Sequence, residues 1–562
     1  MRIRGRANVL VLLGYTTISF LYFGLRLVSH PGRAILGSGR DPQIFIWSFA
    51  WWPHAIGAGQ NPFVTHAIYA PDGINLAWAT TVPGLALAFT PLTALFGPVV
   101  SYNVASMLMP ALAGWTAFIL CRHLTRSLWA SLVGGYLFGF SGYMLGQELA
   151  HLHMTAVFLV PLVALAVLRF TEGKIDGRGL AWRLGLLLGL QFWLSTELFF
   201  TATLALGATL VLAFWLVPAV RHRLRALVSP LLAGYGIAAL VAGPLAVYAA
   251  LGFTSGSIND PRLFNGDLLE FIVPTRLIAL GGSYFSSVSS HFPTSDAERG
   301  AYLGLPALLI VAWFAIRARR SASARFLIAA LAAAALVTLG SKLLIRGHVI
   351  VSLPWNALVC LPLLDNVLPV RIALFASLAT AVIVALWTAS RRGWSSRMLP
   401  ALAVAALVPA VWHSDYRTVP ERWPFFTDGL YKVCIPRNEN VAIFPYGFWG
   451  NSMLWQAESG FWFRMAEGYL RPKPPPAFLA DPTVTELTFT TDNPKPPQIL
   501  AFARNKQVDR ILSVLIYPHP SSNQMHRFGA VQLLGGVLVS PACGYPSLRQ
   551  GVHPTSAHPP PK

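Results

Sequence analysis

VPGLALAFTPLTALFG, residues 82–97, looks at first like a membrane span, and whether it crosses decides the layout of everything before residue 122. It has sixteen residues and is broken by Pro83 and Pro91, whereas a helix needs about 20 apolar residues to cross a bilayer. The basic clusters on either side settle the matter by parity. Arg2/Arg4/Arg6 precede a first apolar run (about 7–28), and Arg122/Arg126 follow a second, Val99–Cys121. Basic residues gather in cytoplasmic loops, so two crossings keep both clusters inside and a third would not. Residues 82–97 are therefore expected to be an interfacial or re-entrant helix. The Trp-rich DPQIFIWSFAWWPHAIG (41–57) is expected to be a second interfacial helix. Residues 30–98 become one long external loop.

The same reasoning extends along the chain. Further clusters are Arg169/Lys174/Arg178/Arg183, Arg221/Arg223/Arg225, Arg317/Arg319/Arg320/Arg325 and Arg391/Arg392/Arg397, and the six clusters together hold nineteen of the 42 Lys and Arg residues. The spans that fit between them lie near 7–28, 99–121, 128–146, 154–170, 181–197, 199–217, 227–250, 301–317, 325–341, 367–388 and 398–412. The expectation is a mostly α, polytopic bundle of about eleven spans with a cytoplasmic N-terminus, over residues 1–412. External loops are 30–98, 147–153, 251–300 and 342–366. Together with the 195–197 turn they carry ten acids and seven bases, so charge differs between the faces.

Composition agrees. Of 562 residues 55% are hydrophobic and only 11% charged, with mean hydropathy +0.55, against roughly 25% charged in soluble proteins. The formal charge of +20 then reflects cytoplasmic loops rather than nucleic acid, for which no zinc-finger spacing or RNP-like motif speaks. The start, MRIRGRANVLVLLGYTTISFLYFGLRL, is read as a retained first helix, because no A-x-A cleavage site follows it.

Residues 413–562 change character. VAIFPYG, VTELTFTT, RILSVLIYP and GGVLVSP read as strands and QILAFARNKQ as a helix, with Pro and Gly between them. A small external α/β domain is expected. Cys434 and Cys543 fall in it, either as a disulfide or as two unpaired buried thiols. Cys121 and Cys360 lie in or beside membrane helices.

The residues that could carry chemistry are few. Asp41, beside Arg40, opens the first loop. It is either a carboxylate with a task at the interface or the N-cap of the 42–56 helix with Pro42 at N1, and the two roles are compatible. QELAHLHM (147–154) places Glu148, His151 and His153 together. They suit acid/base work or a metal, although i and i+2 do not share a helix face and a plain polar turn is the simpler reading. Glu197 stands in an apolar stretch of about 35 residues, either functional or at a solvated turn. The 251–300 loop carries Asp260, Arg262, Asp267, Glu270, Arg276, His291, Asp296, Glu298 and Arg299, and no one of them stands out. Arg371, at the mouth of a span, either holds a phosphate or snorkels to the interface. Residues 444–470 pack Tyr446, Trp449, Trp455, Trp462 and Tyr469 among polar partners, suited to core packing, membrane docking or sugar stacking. No Walker A, Rossmann, G-x-S-x-G or H-E-x-x-H motif occurs.

On these residues the chain resembles the GT-C superfamily of membrane glycosyltransferases, which includes protein O-mannosyltransferases and lipid A aminoarabinose transferases. The likeness is one of layout: first helix, long first external loop with an early acid, many further spans, and an external C-terminal part. It is nearest to bacterial members whose tail carries a PYG…WQ…F-M-x-G-Y-like run, matched here by 444–470. The resemblance implies an inverting transfer of sugar from a polyprenyl-phosphate-linked donor on the external face of the bacterial cytoplasmic membrane. It makes Asp41 the base, with Arg40, Glu148, His151, His153, Glu197 and Arg371 toward substrate. The partners implied are that donor, membrane lipid, and an acceptor that could be glycan, lipid or protein. Many members have paired acids where this chain has Arg40-Asp41-Pro42, so a divalent metal is left open; no nucleotide cofactor is expected. The competing reading is a non-enzymatic membrane factor or a transporter of lipid-linked saccharide.

Overall fold

Long apolar helices in lipid gain little from a hydrophobic force between them, so they associate through close contact at small residues. The helices Pro98–Thr125 and Leu128–Gly139 show this in the computed structural model of the chain. A Cβ added at Gly139 would lie 2.6 Å from the Pro110 carbonyl oxygen and 2.7 Å from the Gly114 Cα. One added at Gly135 would lie 2.3 Å from the Tyr15 hydroxyl. Only glycine admits these backbones, and the first helix, Arg2–Ser19, packs against the same pair through Tyr15, whose hydroxyl donates to the Leu132 carbonyl (2.7 Å).

The structure describes residues 2–513 apart from 253–257, 362–363, 392, 413, 421–422, 472 and 490–493. It falls into two compact units: residues 1–65, 74–420 and 469–474 form the first, and residues 66–73, 421–468 and 475–562 the second.

In the first unit seven helices among the described residues are long and apolar enough to cross a membrane: Ala7–Gly24, Pro98–Thr125, Leu128–Gln147, Leu152–Thr171, Thr196–Leu216, Val228–Leu251 and Pro369–Ser390. Thr196–Leu216 and Val228–Leu251 bury few of their residues, as helices solvated by lipid should. The other four expected spans coincide with helices as well, but with less suitable ones. Gly177–Leu194 carries Arg178 and Arg183, and Leu305–Arg317, Ala322–Thr338 and Ser395–Ala405 have 13, 17 and 11 residues.

Residues 82–97 form two short helices, Pro83–Ala88 and Thr90–Phe96, neither able to span. Asp41–Gly57 departs from expectation. It was read as lying on the membrane surface, yet eleven of its 17 residues, including Trp47, Trp51 and Trp52, are buried within the protein. Its aromatic residues serve packing.

The second unit is built on a three-stranded parallel sheet with Asn440–Phe444 at the centre, between Arg464–Met465 and Arg510–Ser513. The central strand is buried at every position, as in a sheet covered on both faces. VAIFPYG and QILAFARNKQ supply the expected strand and helix, and of RILSVLIYP the described part, Arg510–Ser513, is a strand. VTELTFTT does not: Pro482–Phe489 is a helix. The Asp481 carboxylate accepts the Thr483 N–H (2.9 Å), Pro482 stands at the start, and Val484 and Leu487 share the buried face. Here tertiary burial at i, i+3 outweighs β-branched propensity. Cys434 is disulfide-bonded, while Cys543 and GGVLVSP lie outside the described residues. Glu467 is fully buried and accepts the backbone N–H groups of Ile443 (3.1 Å) and Gly447 (2.5 Å). Burial raises its carboxyl to about 8 despite those bonds.

Candidate functional site

Asp41 owes its place to the residues just before it. The Ser38 N–H donates to the Leu149 carbonyl (2.7 Å) and the Gly37 N–H to that of Tyr416 (3.2 Å). Gly37 has φ +97°, and a Cβ there would fall 2.3 Å from the Leu149 oxygen, so glycine is required on both counts. Residues 37–38 are thus tied to the segment that leads into His151. Ile35–Leu36 pairs antiparallel with Arg417–Thr418, fixing the same stretch from the other side.

Asp41 begins its helix but does not cap it with its side chain. Instead Oδ2 lies 3.2 Å from His151 Nε2, and Oδ1 accepts the Tyr469 hydroxyl at 2.6 Å. Burial alone would raise this carboxyl. The hydrogen bond and charge of His151, with the Tyr469 hydroxyl, carry it below the ordinary aspartate value.

The QELAHLHM segment is a break between helices. Gly142–Gln147 ends, and His151 precedes the short helix Leu152–Thr155 with a non-helical backbone (φ −123°, ψ 68°). The objection that i and i+2 point to different helix faces therefore does not apply, and the rings of His151 and His153 stand 5.9 Å apart. His151 Nδ1 meets Gln147 Oε1 at 2.9 Å, while the Gln147 amide donates to the Ala297 carbonyl (2.9 Å) and to Glu298 (3.3 Å). Glu148 turns away. It is buried, neither of its oxygens has a hydrogen bond of good geometry, and burial raises its carboxyl well above the usual range.

Glu197 stands in the first turn of Thr196–Leu216, where Ser195 caps the helix by accepting the Leu198 N–H and a carboxylate is favoured by the helix dipole. One of its oxygens is 2.7 Å from Arg371 Nη1 and 3.9 Å from His153 Nε2. Arg371, on the short turn Pro369–Ile372 at the head of a span, does not snorkel: it is 8% exposed. Its Nε donates to both oxygens of Glu298 (3.1 and 3.0 Å) and its Nη2 to one of them. Glu298 is held at about 2: burial pushes it up, but the charges of Arg371 and His151 and the bonds from Arg371 and Gln147 bring it down further. The guanidinium fork is thus committed to two carboxylates.

These groups open on one cavity of about 480 Å³, lined by Asp41, His151, His153, Glu197, Arg371 and Tyr469 at a polar end. Phe45, Phe192, Trp193, Phe199, Phe200 and Leu245 supply apolar lining, and Thr80, Thr81, Asn259, Asn366 and Arg471 line the cavity too. Five of the seven residues singled out in the sequence meet here. Arg40 and Glu148 are not among those lining it. Sequence reasoning passed over Glu298, one of nine ionisable residues in its loop, and gave Tyr469 no role beyond an aromatic run. The end of the F-M-x-G-Y-like match was the available signal for Tyr469. A divalent metal does not fit the donors present. No group of three or more His, Cys, Asp or Glu able to hold one occurs among the described residues, and the two glutamates are bound by Arg371.

A family described as a domain of unknown function, DUF6311, matches residues 11–411. No curated protein matches the sequence. Among solved structures, the fold is similar to archaeal oligosaccharyltransferase AglB from Archaeoglobus fulgidus in complex with an inhibitory peptide and a dolichol-phosphate. The TM-score is 0.52 and the identity 12%, covering 91% of this chain and 70% of that one. The Archaeoglobus fulgidus oligosaccharyltransferase in complex with Zn and sulfate gives TM-score 0.50 at 13% identity, covering 90% and 67%. Arabinofuranosyltransferase AftD from Mycobacteria gives 0.48 at 16%, covering 84% and 32%. At these identities the likeness to the oligosaccharyltransferase is one of fold alone.

Proposed function

We propose that this chain, which belongs to the DUF6311 family, transfers a sugar from a polyprenyl-phosphate-linked donor to an acceptor hydroxyl on the external face of a bacterial cytoplasmic membrane. The observation that carries the reading is Asp41. It is a carboxylate braced by His151 and Tyr469 on a cavity that also presents aromatic and aliphatic side chains, in a chain whose fold is similar to that of an oligosaccharyltransferase. The dolichol-phosphate bound by that archaeal enzyme supports a lipid-phosphate donor.

The acceptor oxygen attacks the anomeric carbon while Asp41 takes its proton. The bond from that carbon to the phosphate oxygen breaks, polyprenyl phosphate departs, and a single displacement inverts the anomeric configuration. Keeping Asp41 below the ordinary aspartate range ensures that it is ionised and able to accept. His151 and Tyr469 hold both carboxylate oxygens in place, leaving lone pairs for the acceptor. The leaving phosphate needs a cation. Arg471, which lines the cavity, is assigned the phosphate, and Arg371, bonded to Glu197 and Glu298, holds the carboxylate wall. The apolar side chains take the first part of the lipid.

The test uses the purified chain in lipid nanodiscs with an undecaprenyl-phosphate hexose and water in the acceptor's place, following hydrolytic release of undecaprenyl phosphate by the parent chain. Asp41→Asn keeps the shape and should lower release by roughly 10²–10⁴-fold, the usual worth of a positioned base. Equal release by both proteins would remove Asp41 from the reaction.

A further inference from the structure

The hairpin of Lys342–Ile345 and His348–Ser352 is not used by the proposed chemistry, yet it is specified in detail. Its two-residue turn, Arg346-Gly347, has positive φ at both positions (+52° and +77°), the geometry that matches strand twist. One side is fastened to the 251–300 loop. The Gly347 N–H donates to Asp267 Oδ2 (2.7 Å), buried Leu344 bridges to Asp267, and a Cβ on Gly347 would come within 2.4 Å of the His291 carbonyl.

The other side is bare. All five residues of His348–Ser352 are exposed, with Val349 and Ile350 each at 58% and Val351 at 51%. Three consecutive β-branched apolar residues on an open strand edge are a liability in water. Charge indicates what covers them. Residues 339–364 contain no Asp or Glu, while Lys342, Arg346 and His348 are exposed. The hairpin follows the apolar helix Ala322–Thr338 and precedes the span Pro369–Ser390, so it lies at helix ends. Exposed Leu268 and Ile272, on and just after the short helix that packs on Lys342–Ile345, extend the apolar surface.

We propose that this hairpin is seated in the lipid headgroup layer, with its exposed apolar edge, residues 349–351, at the boundary with the acyl chains and Lys342 and Arg346 on anionic headgroups. Depth follows from the backbone. An open strand edge has unpaired N–H and C=O groups that the hydrocarbon core cannot satisfy, so the ribbon lies where water still reaches the backbone. Its basic residues gain from a negative surface. The inference is independent of the sugar-transfer reading.

The full chain with Cys121→Ala and Cys360→Ser, carrying a nitroxide at Ile350→Cys, is reconstituted in vesicles of phosphatidylethanolamine and phosphatidylglycerol. Cys434 is held in a disulfide and does not compete for label. Collisions with oxygen, which dissolves in lipid, should exceed those with a water-soluble nickel chelate. Lys342→Gln with Arg346→Gln should narrow that margin. A label at Val349→Cys repeats the reading if Ile350→Cys perturbs folding. Greater access to nickel would place the strand in water. Protection from both probes would mean a protein neighbour, including a strand from a second copy. An unchanged margin without the two cations would mean that charge does not seat it. Each of these three results overturns the proposal.

Discussion

Arg371 is the residue on which the site depends. A buried guanidinium between two carboxylates is costly to desolvate, and removing one member leaves the others without compensation. Arg371→Gln should therefore destabilise the first unit by about 3–5 kcal/mol, read as a fall in the thermal midpoint of the detergent-solubilised chain. Adding Glu298→Gln should recover part of the loss, because one of the two stranded carboxylates is then gone. A midpoint within error of the parent would mean that the fork is ornamental. The same pair sets an acid limit. Glu298 is depressed in the folded state to about 2, so its stabilisation is present above the unfolded value, about 4.3, and is lost as pH falls toward 2. Glu298→Gln should flatten the decline in the midpoint over that window, and an unaltered slope would assign the decline to other carboxylates. Asp41, His151, His153, Glu197 and Arg371 could be found in the sequence because a polar side chain in an apolar stretch is conspicuous. Glu298 was hidden among the charges of its own loop. Tyr469 was hidden by distance, 428 residues from the carboxylate it binds.

At the scale of elements, helices were legible where length and hydropathy agreed and misread where a short segment had two buried uses. Asp41–Gly57 has the Trp content of an interfacial helix but is packed inside, because Trp is enriched both at membrane interfaces and in cores. Pro482–Phe489 has strand-forming residues in a helix whose burial repeats at i, i+3. The sharpest packing constraint was also invisible: nothing in LWASLVGGYLFG shows which glycines touch a neighbour. Since Gly139 is within 2.7 Å of the Gly114 backbone by its hypothetical Cβ, Gly139→Leu should force these helices apart and cost at least the 1–3 kcal/mol typical of overpacking. Gly207 meets nothing within 4 Å, so Gly207→Leu, on a lipid-exposed helix, is the control and should leave the thermal midpoint unmoved. If both variants unfold together with the parent, the close approach is not what orders this pair.

For the whole molecule the open quantity is the number and direction of crossings, and the short helices decide it. At 1.5 Å per residue, Leu305–Arg317 is about 20 Å long, against roughly 30 Å of hydrocarbon. It is followed, across Arg317–Arg320, by Ala322–Thr338. Because these two come as a pair, counting or discounting both leaves the side of every later segment unchanged. The orientation therefore rests on Gly177–Leu194 and Ser395–Ala405, each single, and on the parity of the basic clusters. Arg178 and Arg183 lie in the first half of Gly177–Leu194, where a cytoplasmic end would place them. Glu197, two residues after the helix cap Ser195, is then delivered outside with the cavity. Alkaline phosphatase, active only outside the cytoplasm, should be silent when fused after residue 175 and active when fused after residues 300 and 420. Activity at 175 would invert the topology and put the polar end of the cavity on the cytoplasmic side, where a nucleotide sugar is available and a polyprenyl-phosphate donor is no longer needed. Silence at 420 with activity at 300 would mean that Ser395–Ala405 does not cross. That outcome would separate residues 421–468 from residues 66–73 of the first loop, with which they form the second unit, and Tyr469 from Asp41, and so would contradict the site as well as the topology.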